Sequence, residues 1–136
     1  MSDFCIFCEI AAGRVPSYTT YSDDVAIAFL DLAPITPGHT LVIPRRHVVD
    51  VMADGADQAV VDIGPALHAV SQRLVDAFKA DGISVFQSNG AAAGQEVFHL
   101  HAHVVPRYDG DSAPVRWTRD TAAADTVADA HALITG

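Results

Sequence analysis

Basic residues are scarce in this chain. Its 136 residues include 8 lysines and arginines against 17 aspartates and glutamates, which gives a formal net charge of −9. Proteins that follow the backbone of DNA or RNA need a basic surface to neutralise a run of phosphates. The composition therefore argues against a nucleic-acid footprint, although a single mononucleotide needs only a few well-placed groups.

Cysteine is also scarce, and long apolar segments are missing. Cys5 and Cys8 are too few for a disulfide framework, so we expect a reducing, cytoplasmic setting. No apolar run is long enough to cross a bilayer and no secretory leader pattern is recognised, so no membrane partner is expected. Half of the residues are hydrophobic, which suits one domain with a substantial core.

Three histidines alternate with apolar residues in the stretch 98–107. A period of two is that of a β-strand, so His99, His101 and His103 are predicted to lie on one face. The opposite face would pack into a core: Leu100, Ala102 and Val104. On a flat strand the outer two histidines would be ~13 Å apart, too far to share one zinc ion at about 2.1 Å from each nitrogen. We interpret the row as imidazoles with separate tasks, one of them chemical; the alternative is a half-buried histidine row without a function.

A C-x-x-C motif, Cys5 to Cys8, stands near the start of the chain. A redox motif of this kind normally follows a strand and opens a helix, and nothing strand-like precedes Cys5. Zinc explains the pair better, but two thiolates are half of a tetrahedral site. The remaining ligands would have to be histidines from elsewhere; the alternative is two reduced cysteines packed as small hydrophobic residues.

Strands and one long helix are predicted from the remaining patterns. Apolar residues recur at steps of three and four over 57–79, which indicates an amphipathic helix with Pro65 inside it and Gly82 as its left-handed C-cap. Residues 115–118 are predicted to be extended, and residues 121–134 to form a short C-terminal helix. The strands are predicted at 17–22, 25–30, 40–43 and 83–87, with the histidine row as the fifth.

The histidine row resembles the signature of the histidine-triad (HIT) superfamily of nucleotide-binding hydrolases and transferases. That signature is His-φ-His-φ-His-φ-φ, with φ apolar, and residues 99–105 match it in full. The likeness extends over roughly Cys5 to Arg107, and further segments fall in the family's order: Ile6-Phe7, Phe29-Leu30-Asp31, Pro37-Gly38-His39, Val42 to His47, and Gly94-Gln95. Some bacterial members that begin with C-x-x-C resemble this chain closely.

The resemblance implies a fold and an assembly. The fold is α+β, a five-stranded antiparallel sheet with one long helix and a C-terminal helix. The assembly is a homodimer in which the sheet continues from one protomer into its partner. Residues 1–110 would form the HIT domain, and residues 111–136 a C-terminal tail with a short helix.

The resemblance also implies roles for individual residues. The nucleophile is His101, and the other members of the catalytic set are His99, His103 and His39, of which His103 and His39 would contact the phosphate. Nucleotide-binding positions are Asp31 for the ribose hydroxyls, Ile6, Phe7 and Leu32 for the base, and Ser88, Asn89, Gln95 and His103 for the phosphate side. Either Ser88 or Asn89 would take the family's polar position in its loop. Glu96 departs from the pattern, because many animal relatives have Ser or Thr there.

The chemistry of an imidazole agrees with these roles. A neutral imidazole is a good nucleophile at physiological pH because its ordinary pKa is near 6.5. Attack on an α-phosphorus would give a covalent nucleotidyl-histidine that water then hydrolyses. The predicted function is hydrolysis or nucleotidyl transfer at the α-phosphate of purine nucleoside phosphoramidates or adenylates, with no organic cofactor. The alternatives are a dinucleoside polyphosphate hydrolase and a non-catalytic nucleotide-binding module.

A structural zinc ion is implied by the resemblance to the bacterial members with C-x-x-C. By matching positions, its ligands would be Cys5, Cys8, His47 and His99. Two thiolates and two imidazoles make a closed tetrahedral site, so the metal would be structural and not catalytic.

Overall fold

The computed structural model describes residues 4–113 and 119–136. These residues form one five-stranded antiparallel sheet with the strand order β1-β2-β3-β5-β4, as predicted. The elements are α1 (Ile6–Ala11), β1 (Thr19–Ser22), β2 (Ala26–Leu30), β3 (Thr40–Pro44), α2 (Ala56–Phe78), β4 (Gly82–Phe86), β5 (Ala102–Arg107) and α3 (Val127–Thr135). Short 3₁₀ helices cover Ala91–Ala93 and Thr121–Thr126. The extended segment predicted at 115–118, part of the predicted tail, lies outside the described residues.

Helix α2 covers one face of the sheet. Its buried side recurs at steps of three and four, as an amphipathic helix requires: Ala59, Ile63, Ala66, Val70 and Leu74. Pro65 lies on its exposed side and does not delay its start, which is at Ala56. The predicted C-cap at Gly82 is wrong: Lys79 takes the left-handed conformation (φ 53°, ψ 42°), and Gly82 begins β4.

The histidine row keeps its predicted alternation but not its predicted length. The side chains facing α2 are fully or almost fully buried in the main core: Leu100, Ala102 and Val104. Regular pairing of β5 begins only at Ala102, so His99 lies in a bend ahead of the strand. The N–H of Leu100 donates to the oxygen of Val48 at 2.8 Å, in the irregular segment after β3, which explains why the ladder stops there.

A second, smaller core lies on the opposite face of the sheet, under α1. Phe7 is the buried residue of that helix and packs with apolar side chains of β2 and β3: Ile27, Phe29, Leu41 and Ile43. The helix is capped by the thiol of Cys5, whose Sγ accepts from the Cys8 N–H at 3.3 Å. The histidines therefore share a face with α1. None of the helices in the described ranges is long and apolar enough to cross a membrane.

Candidate functional site

The face of the sheet under α1 carries a row of imidazole rings. Neighbouring ring centroids are 5.0 Å apart for His47 and His99, 5.1 Å for His101 and His103, and 5.1 Å for His103 and His39. Phe7 meets His99 and His101 edge-on, with centroids 6.0 and 5.2 Å away. The row therefore runs from the C-x-x-C motif at one end to the loop after β2 at the other.

His101 occupies the middle of this row with one nitrogen uncommitted. Its Nδ1–H donates to the backbone oxygen of His99 at 2.7 Å, so the lone pair of the neutral ring is on Nε2. No hydrogen bond from a described residue reaches that Nε2. His101 is 8% exposed. The ring is arranged as a nucleophile would be.

The histidine pair, His39 and His103, lies beside it. His39 is 2% exposed; its Nδ1 accepts from the N–H of Ile35 at 3.0 Å, and its Nε2 lies 2.9 Å from Nδ1 of His103. Burial and the neighbouring imidazoles lower the pKa of His103 to about 4, and burial also lowers the pKa of His39. Both rings are therefore neutral near pH 7.

A flat aromatic surface supports His103 from the edge strand. Phe86 stacks on its ring with centroids 4.3 Å apart and planes 7° from parallel, because β4 and β5 pair Phe86 with His103. Phe86 is not among the site residues predicted from the sequence. The histidine row predicts a strand, but nothing in the sequence gives the register of its neighbour.

The residues predicted for the ribose and the base lie at the open end of the site. Asp31 follows β2; its Oδ1 accepts from the N–H of Ala33 at 2.9 Å, and its Oδ2 lies 3.6 Å from Nε2 of His39. Ile6 is half-buried, Phe7 is buried, and Leu32 is 83% exposed. The carboxylate and the apolar residues thus border the histidine row, with Leu32 on the outer rim.

The residues predicted for the phosphate side have unequal freedom. Gln95 is 4% exposed, and its side-chain amide bonds only to backbone groups. Its oxygen accepts from the N–H of Gly90 at 2.7 Å, and its nitrogen donates to the oxygens of Val49 and Val97. The amide of Asn89 accepts from Val51 N–H at 2.8 Å and exchanges bonds with the side chain of Gln87. The hydroxyl of half-buried Ser88 has no hydrogen-bond partner among the described residues, so it is the group of this loop that can meet a ligand.

Glu96 lies on the wall of a groove beside α1. The groove has a volume of about 690 Å³, and its lining combines the start of the chain, the segment after β3 and the segment before the histidine row: Phe4, Cys5, Ile6, Cys8, Glu9, His47, Val49, Glu96, Val97 and Phe98. The Glu96 side chain is exposed. A carboxylate in that wall favours a neutral or cationic neighbour over an anionic one.

Four ligand-type atoms converge at the other end of the row, in the thiol–imidazole cluster (Cys5, Cys8, His47 and His99). Nδ1 of His99 lies 3.4 Å from Sγ of Cys5, 3.5 Å from Sγ of Cys8 and 3.2 Å from Nδ1 of His47, which is 3.3 Å from Sγ of Cys8. Zinc bonds of about 2.3 Å to sulfur and 2.0–2.1 Å to nitrogen, at tetrahedral angles, set neighbouring ligand atoms roughly 3.3–3.8 Å apart. The observed separations fit that geometry.

The electrostatics of the cluster also favour a cation. Nε2–H of His99 donates to the oxygen of Pro44 at 2.8 Å, so its Nδ1 presents a lone pair to the two thiols. Burial, followed by the hydrogen bond with Cys5, raises the pKa of Cys8 to about 11. Nitrogen and sulfur lone pairs that face one another repel, and a protonated thiol is only a weak hydrogen-bond donor to them. A divalent cation would instead deprotonate the thiols and accept a lone pair from each of the four groups.

The protein is an α+β protein with a row of imidazoles on one face of its sheet. The central ring has one nitrogen without a partner among the described residues, and the row ends at a cluster of metal-type ligands. The HIT domain matches residues 12–110 of this chain, which is most of its length. The chain belongs to the HIT family, and the resemblance drawn from its sequence is confirmed.

Individual relatives support this assignment. "Protein hit" of Bacillus subtilis is 40% identical over 114 residues, which cover 83% of this chain and 78% of that protein. The crystal structure of a histidine triad nucleotide-binding protein from Candida albicans superposes with a TM-score of 0.83 at 29% identity, covering 96% of this chain and 94% of that one. A Zn-bound histidine triad family protein from Mycobacterium smegmatis gives a TM-score of 0.71 at 37% identity, covering 93% and 96%.

Proposed function

We propose that this protein is a nucleotide hydrolase or nucleotidyl transferase that acts at the α-phosphate of purine nucleoside phosphoramidates or adenylates. The observation that carries the proposal is the state of His101, whose Nδ1–H is held by the oxygen of His99 at 2.7 Å while its Nε2 has no hydrogen-bond partner among the described residues. Membership of the HIT family and the likeness to a histidine triad nucleotide-binding protein support a nucleotide as the ligand.

The reaction would proceed in two steps. In the first, the lone pair on Nε2 of His101 forms a bond to the α-phosphorus, and the bond from phosphorus to the leaving group breaks. The leaving group departs with the bonding pair and takes a proton from solvent. In the second, the oxygen of a water molecule bonds to phosphorus and the water loses a proton to solvent, while the P–N bond breaks and its electron pair returns to Nε2. The nucleoside monophosphate is released.

The remaining site residues would bind and orient the nucleotide. Asp31 has one carboxylate oxygen available for the ribose hydroxyls, while Ile6, Phe7 and Leu32 would contact the base. His103 and the hydroxyl of Ser88 would donate to phosphoryl oxygens, where charge develops during attack. Gln95 and Asn89 would hold the loop in place through the backbone groups to which they are bonded. Glu96 would influence the choice of leaving group.

The thiol–imidazole cluster would hold a structural zinc ion. All four ligand positions are taken by Cys5, Cys8, His47 and His99, so the metal would tie α1 to the segment after β3 and to the histidine row, and would bind no substrate. The Zn-bound relative from Mycobacterium smegmatis supports this proposal.

The homodimer is also part of the proposal. Strand β4 is at the edge of the sheet, and its residues Val85 and Phe86 are 51% and 39% exposed. An edge strand with apolar side chains is a natural place for a second copy to add its own sheet. Within each protomer, residues 1–110 would form the HIT domain and residues 111–136 a C-terminal tail. We also propose a cytoplasmic location, which reduced cysteines would suit.

Trapping the covalent intermediate tests the function. Protein mixed with adenosine 5′-phosphoramidate, an adenylate and a diadenosine polyphosphate, then quenched within the first turnover, should show a nucleotidyl adduct on His101 by peptide mass spectrometry. His101→Ala should give no adduct and no turnover, whereas His68→Ala, an exposed histidine on α2, should behave as the parent. An adduct on another residue, or parental turnover by His101→Ala, would refute the proposal; binding without turnover across the panel would favour a non-catalytic module.

A further inference from the structure

The hydrogen bonds of His39 determine where its proton lies. A backbone amide always carries a hydrogen, and the N–H of Ile35 points to Nδ1 of His39 at 3.0 Å. Nδ1 must therefore present a lone pair, and the hydrogen of the neutral ring is on Nε2. Because His39 is 2% exposed, no bulk water competes for either nitrogen.

The same reasoning extends to His103. Nε2–H of His39 lies 2.9 Å from Nδ1 of His103 and 3.6 Å from Oδ2 of Asp31, so it donates to the imidazole and is too far to donate to the carboxylate. Nδ1 of His103 is thus the acceptor, and its own hydrogen is on Nε2. No described residue bonds to that Nε2, and the ring centroids of His103 and His101 are 5.1 Å apart.

We propose that His39 is a positioning residue that locks His103 as a neutral ring with its hydrogen on Nε2, where it donates to the phosphoryl oxygens of the nucleotide attacked by His101. The identity of the ligand rests on the proposed function. The fixed tautomer of His103, which we call the lock, does not depend on it. His39 then acts through His103 and, contrary to what the resemblance implied, does not itself contact the phosphate, because both of its ring nitrogens are already engaged.

The lock excludes a charged His103. An imidazolium ring needs a hydrogen on Nδ1, and that hydrogen would meet the hydrogen on Nε2 of His39. Three ionisable groups act on the ring: His101 and His39 oppose its protonation, Asp31 favours it, and burial is the largest effect against it. His103 is therefore an uncharged hydrogen-bond donor to the phosphoryl group and does not give a full proton to the leaving group.

The lock also disfavours a metal ion between Asp31, His39 and His103, whose ligand-type atoms lie within 4.8 Å of one another. A histidine binds a metal through a nitrogen lone pair, and Nε2 of His39 carries a hydrogen as long as Ile35 donates to Nδ1. In the thiol–imidazole cluster the opposite holds, since His99 presents its lone pair to the other ligands.

Nitrogen spectroscopy of the full chain tests the lock without substrate. Long-range ¹H–¹⁵N spectra of the ¹⁵N-labelled protein at neutral pH should show His103 with an acceptor-type Nδ1 and a protonated Nε2. In His39→Leu the ring should become a mixture of tautomers, whereas in His39→Gln the side-chain amide can replace the Nε2–H donor and should keep the parental pattern. A parent protein with His103 charged or protonated on Nδ1 would overturn the proposal, and so would an unchanged tautomer in His39→Leu.

Steady-state kinetics test the consequence. His39→Leu should lower kcat by about tenfold or more, because a misdirected oxyanion donor is lost in the transition state, and His39→Gln should recover most of it. The factor should be the same for an amine leaving group and for a well-stabilised one such as a nitrophenolate. A loss confined to the amine substrate would mean that His103 protonates the leaving group and would refute the neutral-donor role. If the parent turns over no substrate, the proposed function fails while the spectra still decide the lock.

Discussion

Loss of the thiol–imidazole cluster should lower the stability of the protein by a measurable and bounded amount. His47 is the ligand to change, because its side chain is exposed and His47→Ala removes a zinc donor with little loss of packing. A ligand that binds only the folded state stabilises it by RT ln(1 + [L]/Kd), about 4 kcal/mol when free zinc exceeds Kd by a thousandfold. At roughly 2–4 °C per kcal/mol for a chain near this size, the expected fall in Tm is ~8–16 °C.

The assay compares three proteins with and without a strong zinc chelator. Metal analysis of protein purified without chelator should find stoichiometric zinc in the parent and in the control His68→Ala, whose histidine is exposed and outside the cluster. Chelation should lower the Tm of both to that of His47→Ala, and should leave His47→Ala itself unchanged. A parent Tm insensitive to chelation, or full zinc content in His47→Ala, would refute the assignment of the cluster.

The cluster should also affect the nucleophile. His99 contributes its ring to the cluster and its backbone oxygen to Nδ1–H of His101 at 2.7 Å, so a loosened His99 no longer fixes the tautomer that leaves Nε2 free. Chelation should therefore slow formation of the nucleotidyl adduct several-fold at temperatures well below Tm, because small displacements of a reacting group are costly. An adduct rate that does not respond to chelation would show that the sheet alone positions His99.

Three further predictions concern the stability of the fold. Leu100→Ala empties a site with no solvent exposure and should cost about 2–5 kcal/mol in urea unfolding, against less than about 0.5 kcal/mol for Leu133→Ala, which is 86% exposed. Arg46→Ala should cost about 1–3 kcal/mol, because it leaves the buried carboxylate of Asp62, whose Oδ2 lies 2.7 Å from Nε of Arg46, without its cationic partner; equal stability of parent and variant would contradict this. The pKa of His103 is lowered to about 4, against about 6.5 in the unfolded chain. As pH falls, the unfolded state therefore binds the proton first. The contribution of His103 to the free energy of unfolding is fully present above pH 6.5 and is lost as pH falls towards 4. Unfolding measured across this range should show that loss reduced in His103→Gln, and an identical pH dependence in the two proteins would refute the assignment.

Much of the fold follows from local patterns that the sequence displays. Alternation over the histidine row predicts which side chains are buried, and Leu100, Ala102 and Val104 are in the core because a strand period survives even where the ladder stops. The apolar steps of α2 likewise predict its buried side. The end of α2 was not predictable in this way, since Lys79 adopts a left-handed conformation that glycine adopts more readily.

Contacts between distant segments were not visible in the sequence. Phe86 stacks on His103 because of the register of β4 on β5, which depends on packing across the whole sheet. The four residues of the thiol–imidazole cluster could be named together only through the resemblance to a family, because Cys8 and His99 are separated by 91 positions. Likewise, the sequence does not show which of Ser88 and Asn89 can contact a phosphate. The structure favours Ser88, because the side-chain amide of Asn89 is already bonded to Val51 and Gln87.

The different tasks of the histidines are set by backbone groups, and this is the part of the site that side-chain identity cannot specify. The oxygen of Pro44 takes the hydrogen of His99 and turns its lone pair to the thiols, while the oxygen of His99 takes that of His101 and frees the opposite nitrogen. The N–H of Ile35 does the reverse for His39. In the proposed mechanism, three rings of the same chemical type would serve as a metal ligand, a nucleophile and a positioning donor because three main-chain groups select different tautomers. A substitution that displaces the loop holding Ile35, with every histidine intact, should therefore change the tautomer of His103 as His39→Leu does.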